Sequence, residues 1–249
     1  MKIAIDSCAA MHIGDRSEQQ DRVGIYPHPE RPGCMIAVLA DGMGGHSGGA
    51  IAAEQVLLKA RQNFAAYAPS SESPTEFLRE VISDAHASIK LTRFTSEADP
   101  HSTAVVFMLR PGHADWAHCG DSRLYHFRHG QLISRTPDHS LVEELQRAGR
   151  ITQAQAEVHP QRNLLLSCLG AENPPRTELG GTPALQVGDA FILCSDGLWA
   201  YCSDQELGRV LMEQDARSAA RSLLNLARER AQGVGDNLSM AIIRVVPAS

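Results

Sequence analysis

Short apolar runs bounded by turn residues recur along the chain: Met35 to Ala40, Thr103 to Leu109, Asp115 to Cys119, Ser122 to Phe127 and Ala190 to Cys194. Runs of this length, bracketed by glycine, proline and aspartate, predict buried strands. The stretch from Ile3 to Met11 predicts an edge strand, Val23 to Tyr26 a second, and residues 238–246 a final one. Helical spacing takes over between them. Ala52, Ala53, Val56, Leu57 and Ala60 share one face of a helix from about Gly49 to Phe64, and Leu78, Val81, Ile82, Ala85 and Ile89 share one face of the next. Ser73-Pro74-Thr75-Glu76 has the form of a capping box with proline at the first helical position, so the second helix starts there. Further helices are predicted over residues 205–213 and 216–231.

Residues 122–127 and 131–135, joined at Arg128-His129-Gly130, predict a hairpin. Leu141 to Ala148 predicts a short helix that Gly149 ends, and Thr152 caps another through Val158. Residues 138–180 are polar and punctuated, an excursion from the sheet. Strand runs and helix pairs without strict alternation predict an α+β architecture with helices packed on largely antiparallel sheets. A chain of 249 residues fits one domain over 1–249.

Composition narrows the class. A hydrophobic share of 43% excludes disorder as the main state. A net charge of -6 argues against a nucleic-acid binder, and is what either a cluster of metal-binding carboxylates or simple solubility would give. Cys8, Cys34, Cys119, Cys168, Cys194 and Cys202 form no CxxC pair and predict reduced thiols. No charged leader and no run of about 18 apolar residues is evident, so no membrane association and a cytoplasmic location are expected.

The candidate chemistry lies at strand ends. Asp41-Gly42-Met43-Gly44-Gly45 and Asp196-Gly197 follow apolar strands, and Asp236-Asn237 leads into one. An ionised carboxylate at the mouth of a buried strand must be paired, hydrogen-bonded or coordinated. Aspartates and a backbone carbonyl are hard oxygen donors, suited to Mg²⁺ or Mn²⁺ rather than zinc. The glycine after Asp41 is expected to let the backbone turn sharply, so that its carbonyl faces the same cation as the side chain. The histidines show no HExxH spacing, and the cluster Gly44 to Gly49 lacks the Gly-Lys-Ser or Gly-Lys-Thr of a nucleotide loop.

Taken in order, Arg16 with Gln20-Asp21, Asp41-Gly42-Met43-Gly44-Gly45, Gly120-Asp121-Ser122-Arg123, Thr136-Pro137-Asp138-His139-Ser140, Asp196-Gly197 and Asp236-Asn237 resemble the type-2C metal-dependent serine/threonine protein phosphatases in their compact bacterial form. The resemblance covers nearly the whole chain. It implies a four-layer αββα sandwich of two mainly antiparallel sheets flanked by helix pairs, with residues 138–180 as a flap beside the metal cleft. It implies hydrolysis of phosphoserine or phosphothreonine by a water between two Mn²⁺ or Mg²⁺ ions. Asp41 would bridge them, with the Gly42 carbonyl and Asp21 on one side, Asp196 and Asp236 on the other, and Asn237 in support. Arg16 would clamp the substrate phosphate, because its guanidinium fork takes two oxygens at once. A phosphorylated protein substrate, an opposing Hanks-type kinase, a role such as type VI secretion control and a monomeric state are expected by the same analogy.

Departures from the family pattern qualify this expectation. Asp121 corresponds to a ligand of a third, weaker metal, or is a hairpin carboxylate bonded to backbone amides; Ala200 stands where many relatives carry a further aspartate. Met43 replaces a histidine that in animal relatives protonates the leaving oxygen, which leaves water on a metal, or His46, as the acid. Gln20 replaces a frequent glutamate and removes one negative charge near the metals. Two rivals remain open at this point: a non-catalytic phosphoprotein-binding module of the same fold, and a phosphatase of small metabolites.

Overall fold

The computed structural model describes residues 3–44, 47–69, 72–93 and 99–248. Two five-stranded antiparallel sheets form its centre. The first sheet runs, in spatial order, β1 (Ile3–His12), β12 (Leu238–Pro247), β11 (Asp189–Cys194), β8 (Arg123–Arg128) and β9 (Gln131–Arg135). The second runs β10 (Glu178–Thr182), β7 (His113–Cys119), β6 (Ala104–Arg110), β3 (Met35–Ala40) and β2 (Arg22–Pro27). Helices α1 (Ser47–Ala66) and α2 (Pro74–Thr92) cover the outer face of the second sheet. Helices α6 (Asp204–Glu213) and α7 (Ala216–Ala231) cover the outer face of the first. The architecture is the α+β, four-layer αββα sandwich expected.

Both faces of the central strands are therefore buried, which is why they read as unbroken apolar runs rather than alternating ones. In β3, Ala37 and Leu39 face the other sheet, while Ile36, Val38 and Ala40 face α1 and α2. Between the sheets Phe107 and Phe191 meet with ring centroids 4.8 Å apart, and burying each such side chain contributes roughly 1.5–3 kcal/mol. Capping follows the sequence: Ser73 Oγ accepts from the Glu76 N–H at 3.2 Å while the Glu76 carboxylate accepts from the Ser73 N–H at 2.9 Å. The hairpin of β8 and β9 turns through His129 (φ 47°) and Gly130 (φ 76°).

Four elements escape the sequence pattern. β4 (Gly42–Met43) and β5 (His101–Ser102) form a two-stranded ladder with Met43 opposite His101. The short helix α5 (Asp196–Trp199) follows β11 directly. The excursion holds α3 (Leu141–Arg147) and α4 (Gln153–Glu157), but it ends at β10, where residues 178–182 rejoin the second sheet as its edge. Gly180 disguises that strand: a Cβ there would sit 2.3 Å from Trp116 Nε1, so only glycine lets the indole lie across the edge.

Candidate active site

The register brings the strand ends that carry the acids to one end of the sandwich. Arg22 pairs with Ala40, Cys194 with Met240, and His12 with Leu238. Asp21 thus precedes β2 beside the end of β3, where Asp41 lies, and Asp196 follows β11 beside Asp236 at the start of β12. Asp121 sits on the strap that crosses from β7 to β8, and Arg16 on the loop after β1. Arg16, Asp21, Asp41, Gly42, Asp121, Asp196, Asp236 and Asn237 therefore converge here. His46 and Gly45 lie outside the described residues.

Close backbone approach sets the spacing. A Cβ on Gly197 would lie 2.1 Å from the Asn237 carbonyl oxygen, so glycine is what lets Asp196 and Asp236 come together. Gly42 corrects an expectation: it occupies an extended strand rather than a sharp turn, and its need for glycine comes from the Gly49 carbonyl oxygen, which a Cβ would meet at 2.0 Å. The Asp41 backbone is held by Thr103 and Ser102. Thr103 Oγ1 accepts from the Asp41 N–H at 3.0 Å, and the Asp41 carbonyl accepts from the Thr103 N–H at 2.9 Å and from Ser102 Oγ at 3.0 Å.

The electrostatics is that of like charges forced together. Desolvation, then the charge of Asp21, holds the Asp41 carboxyl well above the ordinary carboxylate range. Desolvation, then Asp121, does the same to Asp196. Burial pushes Asp21 up to about 6, against the opposing hydrogen bond that Ser195 Oγ donates at 2.7 Å. Asp121 is also pushed up to about 6, by burial and then by Asp138. Asp21 Oδ1 is buried without a hydrogen-bond partner. A buried, unpartnered carboxylate oxygen among further carboxylates fits hard divalent cations, by the chemistry of the donor set and by the unmet need of that oxygen.

Arg16 Nη2 donates to Asp236 Oδ2 at 2.5 Å, and its guanidinium also feels Asp196 and Asp41. Asn237 organises the loop behind it: Oδ1 accepts from the Gln20 N–H at 2.7 Å, and Nδ2 donates to the Ile13 and Glu18 carbonyls at 2.8 and 2.9 Å. A network that sequence reasoning missed supports Asp121. Trp199 Nε1 donates to the Asp121 carbonyl at 3.0 Å, and Arg123 lies over the Trp199 ring at 3.6 Å while gripping Asp138 at 2.8 and 2.7 Å. Ala200, at the end of α5, brings no ligand atom to this side.

His118, His139 and Glu178 form another group whose ligand atoms lie within 4.8 Å of one another. The bonding of His139 opposes a metal there. His139 Nδ1 faces the Gly120 N–H at 3.2 Å as its acceptor, so in the neutral ring the proton sits on Nε2. The two rings also stack at 4.7 Å, which keeps their in-plane lone pairs from converging. Burial lowers both imidazoles, His139 to about 4, so the pair is neutral.

Comparison with known proteins matches this arrangement to a family. The family model described as protein phosphatase 2C matches residues 8–238. The chain belongs to the protein phosphatase 2C family. The serine/threonine phosphatase stp of Listeria monocytogenes is 30% identical over 234 residues, covering 92% of this chain and 90% of that protein. The solved serine/threonine phosphatase of S. agalactiae superposes with a TM-score of 0.87 at 30% identity, covering 98% of this chain and 100% of that one. The catalytic domain of the phosphatase PstP, solved in complex with 2 manganese ions, gives a TM-score of 0.81 at 25% identity, covering 99% and 100%. This phosphatase is accordingly a bacterial, metal-dependent protein serine/threonine phosphatase. Among its described residues no helix is long and apolar enough to cross a membrane.

Proposed function

We propose that Asp21, Asp41, the Gly42 carbonyl, Asp196 and Asp236 hold two Mn²⁺ or Mg²⁺ ions, and that Arg16 binds the phosphate of a phosphoserine or phosphothreonine protein. The observation that carries this reading is the unpartnered, buried Asp21 Oδ1 beside acids whose proton affinity is raised by burial and mutual repulsion. Such ions, when bound, acidify a water and neutralise charge on the phosphoryl group. The rest belongs to the chain. Thr103 and Ser102 fix the Asp41 backbone, and Ser195 fixes one Asp21 oxygen. Asn237 ties residues 13, 18 and 20 into one loop, and that loop presents Arg16.

Arg16 is a fit for phosphate because its planar fork can leave Asp236 for two phosphoryl oxygens. Its charge also offsets the acids of the cluster while no cation is there. A third ion would have Asp121 as its ligand, with Ala200 contributing none, so that site would be weak. We assign the substrate to the cytoplasm, with a Hanks-type kinase as antagonist and the chain acting as a single-domain monomer. The test is phosphate release from a phosphothreonine peptide with Mn²⁺, alongside a chelator control and Asp41→Asn. Loss in both controls is expected. Full activity in Asp41→Asn would overturn the assignment, and tight phosphoprotein binding without turnover would favour a binding module.

A further inference from the structure

The loop that carries Arg16 has no helix or strand of its own, and the Arg16 side chain is 61% exposed. Its aim depends on how that loop is held. Asn237 anchors the inner side; the outer side is anchored by a contact to the last turn of α7. Arg228 Nη1 donates to Asp15 Oδ2 at 2.8 Å and Nη2 to Asp15 Oδ1 at 2.9 Å, a bidentate pair. Asp15 also grips the segment before β12 twice, accepting from the Gly235 N–H at 2.7 Å and donating its own N–H to the Gly235 carbonyl at 2.9 Å.

The residues on either side of Asp15 both meet Asp236. Gly14, at φ 68°, lies so close that a Cβ would be 2.0 Å from the Asp236 carbonyl oxygen, and Arg16 bonds its carboxylate. The three consecutive residues 14, 15 and 16 are thus laid along 235 and 236, and Arg228 closes the clasp from outside. The side chains of Arg228 and Asp15 are 28% and 24% exposed. Fork-to-fork geometry, with the two bonds that Asp15 makes to the Gly235 backbone, distinguishes this pair from surface ion pairs that contribute little.

We propose that Asp15 and Arg228 are positioning residues that fix the distance and aim of Arg16 relative to Asp236, and so set the affinity of the site for a phosphate group. The inference rests on the reading of Arg16 as the phosphate clamp. Neither residue touches substrate; both act through Arg16. A merely structural pair would change stability and turnover without singling out phosphate, whereas a positioning pair changes phosphate affinity only while Arg16 is present.

The experiment is a double-mutant cycle on the full chain with saturating Mn²⁺, using wild type, Arg16→Ala, Arg228→Ala and the double variant. The readouts are KM and kcat for a phosphothreonine peptide and the inhibition constant of inorganic phosphate. Arg228→Ala is expected to raise KM and the phosphate inhibition constant about tenfold with kcat within about threefold, and to change neither by more than about twofold once Arg16 is alanine. Arg228→Lys, which keeps a charge without the fork, is expected to fall between. Equal effects in both backgrounds, or none in the presence of Arg16, would overturn the inference. If Arg16→Ala alone leaves phosphate inhibition unchanged, the clamp reading itself fails and takes this inference with it. Asp15→Asn keeps an oxygen for the Gly235 N–H and serves as the second variant if Arg228→Ala does not fold; it is held to the same cycle.

Discussion

Arg123 offers a sharp test of how the floor of the cleft is held. Its side chain is 13% exposed and grips an Asp138 side chain that is 7% exposed. Arg123→Ala would leave that carboxylate buried and unpaired, a change that typically costs about 3–5 kcal/mol. The loss has a ceiling, because an orphaned carboxylate can escape by taking a proton. At pH 7, neutralising an ordinary aspartic acid (pKa about 3.9) costs about 4 kcal/mol; at pH 5 it costs about 1.5 kcal/mol. Lost stacking on Trp199 adds about 1–2 kcal/mol at either pH. The expected penalty is therefore about 4–6 kcal/mol at pH 7 and about 2 kcal/mol less at pH 5. At about 2–4 °C per kcal/mol for a chain of this size, the melting temperature falls by about 8–24 °C at neutral pH. Urea denaturation of wild type, Arg123→Ala, Asp138→Ala and the double variant at both pH values measures it. A penalty equal at pH 5 and pH 7, or below about 1 kcal/mol, would refute the reasoning, because Asp138 would then be solvated or paired elsewhere.

Three further outcomes are expected. Asp41→Asn removes one of several mutually repelling carboxylates, so the chelator-treated variant melts above chelator-treated wild type while losing the Mn²⁺-dependent rise; a lower melting temperature contradicts the repulsion argument. The Asp21 carboxyl is raised from 3.8 to about 6, so its contribution to metal-free stability is complete below about pH 4 and lost as pH rises through 6. A cation competes with that proton and with those of Asp41 and Asp196: Mn²⁺ affinity climbs as pH rises through about 6, and calorimetry in two buffers of different ionisation enthalpy reads the released protons, which a buffer-independent heat would rule out. Because Met43 cannot donate a proton and His101 lies opposite it, His101→Asn is expected to lower kcat about tenfold on a phosphothreonine peptide and to leave p-nitrophenyl phosphate within about twofold. An equal loss on both substrates would mean that His101 does not serve the leaving group.

Much of this fold is written locally. Buried strands such as β3 and β11, capped helices such as α2, and the His129-Gly130 hairpin each follow from a few adjacent residues. Asp41, Asp196 and Asp236 were legible for the same reason, since each sits at a strand end beside a glycine or an asparagine, whereas Asp21, between Gln20 and Arg22, and Asp121 were read only through the family resemblance. What stayed hidden depends on partners distant in sequence. Gly180 and Gly181 make β10 look like loop until Trp116 is laid across Gly180. Ser195, Thr103 and Trp199 are ordinary residue types whose roles arise only when the fold sets them against Asp21, Asp41 and Asp121. Asp15 and Arg228 lie 213 positions apart, and no local pattern marks either. Gly42 was singled out correctly as needing glycine but for a different cause, the close passage of Gly49 rather than a turn.

The provenance of the acids has a mechanical consequence. Asp21 and Asp41 extend from one sheet, Asp196 and Asp236 from the other, and Asp121 from the strap between them. Cations held by all of them would rivet the open end of the sandwich, and the bite of the ligand set would depend on how the two sheets are seated. That seating is decided in the interior, where Phe107 packs against Phe191. A conservative change there that slides one sheet over the other would detune metal affinity before it melted the protein, so that metal binding becomes a gauge of core alignment.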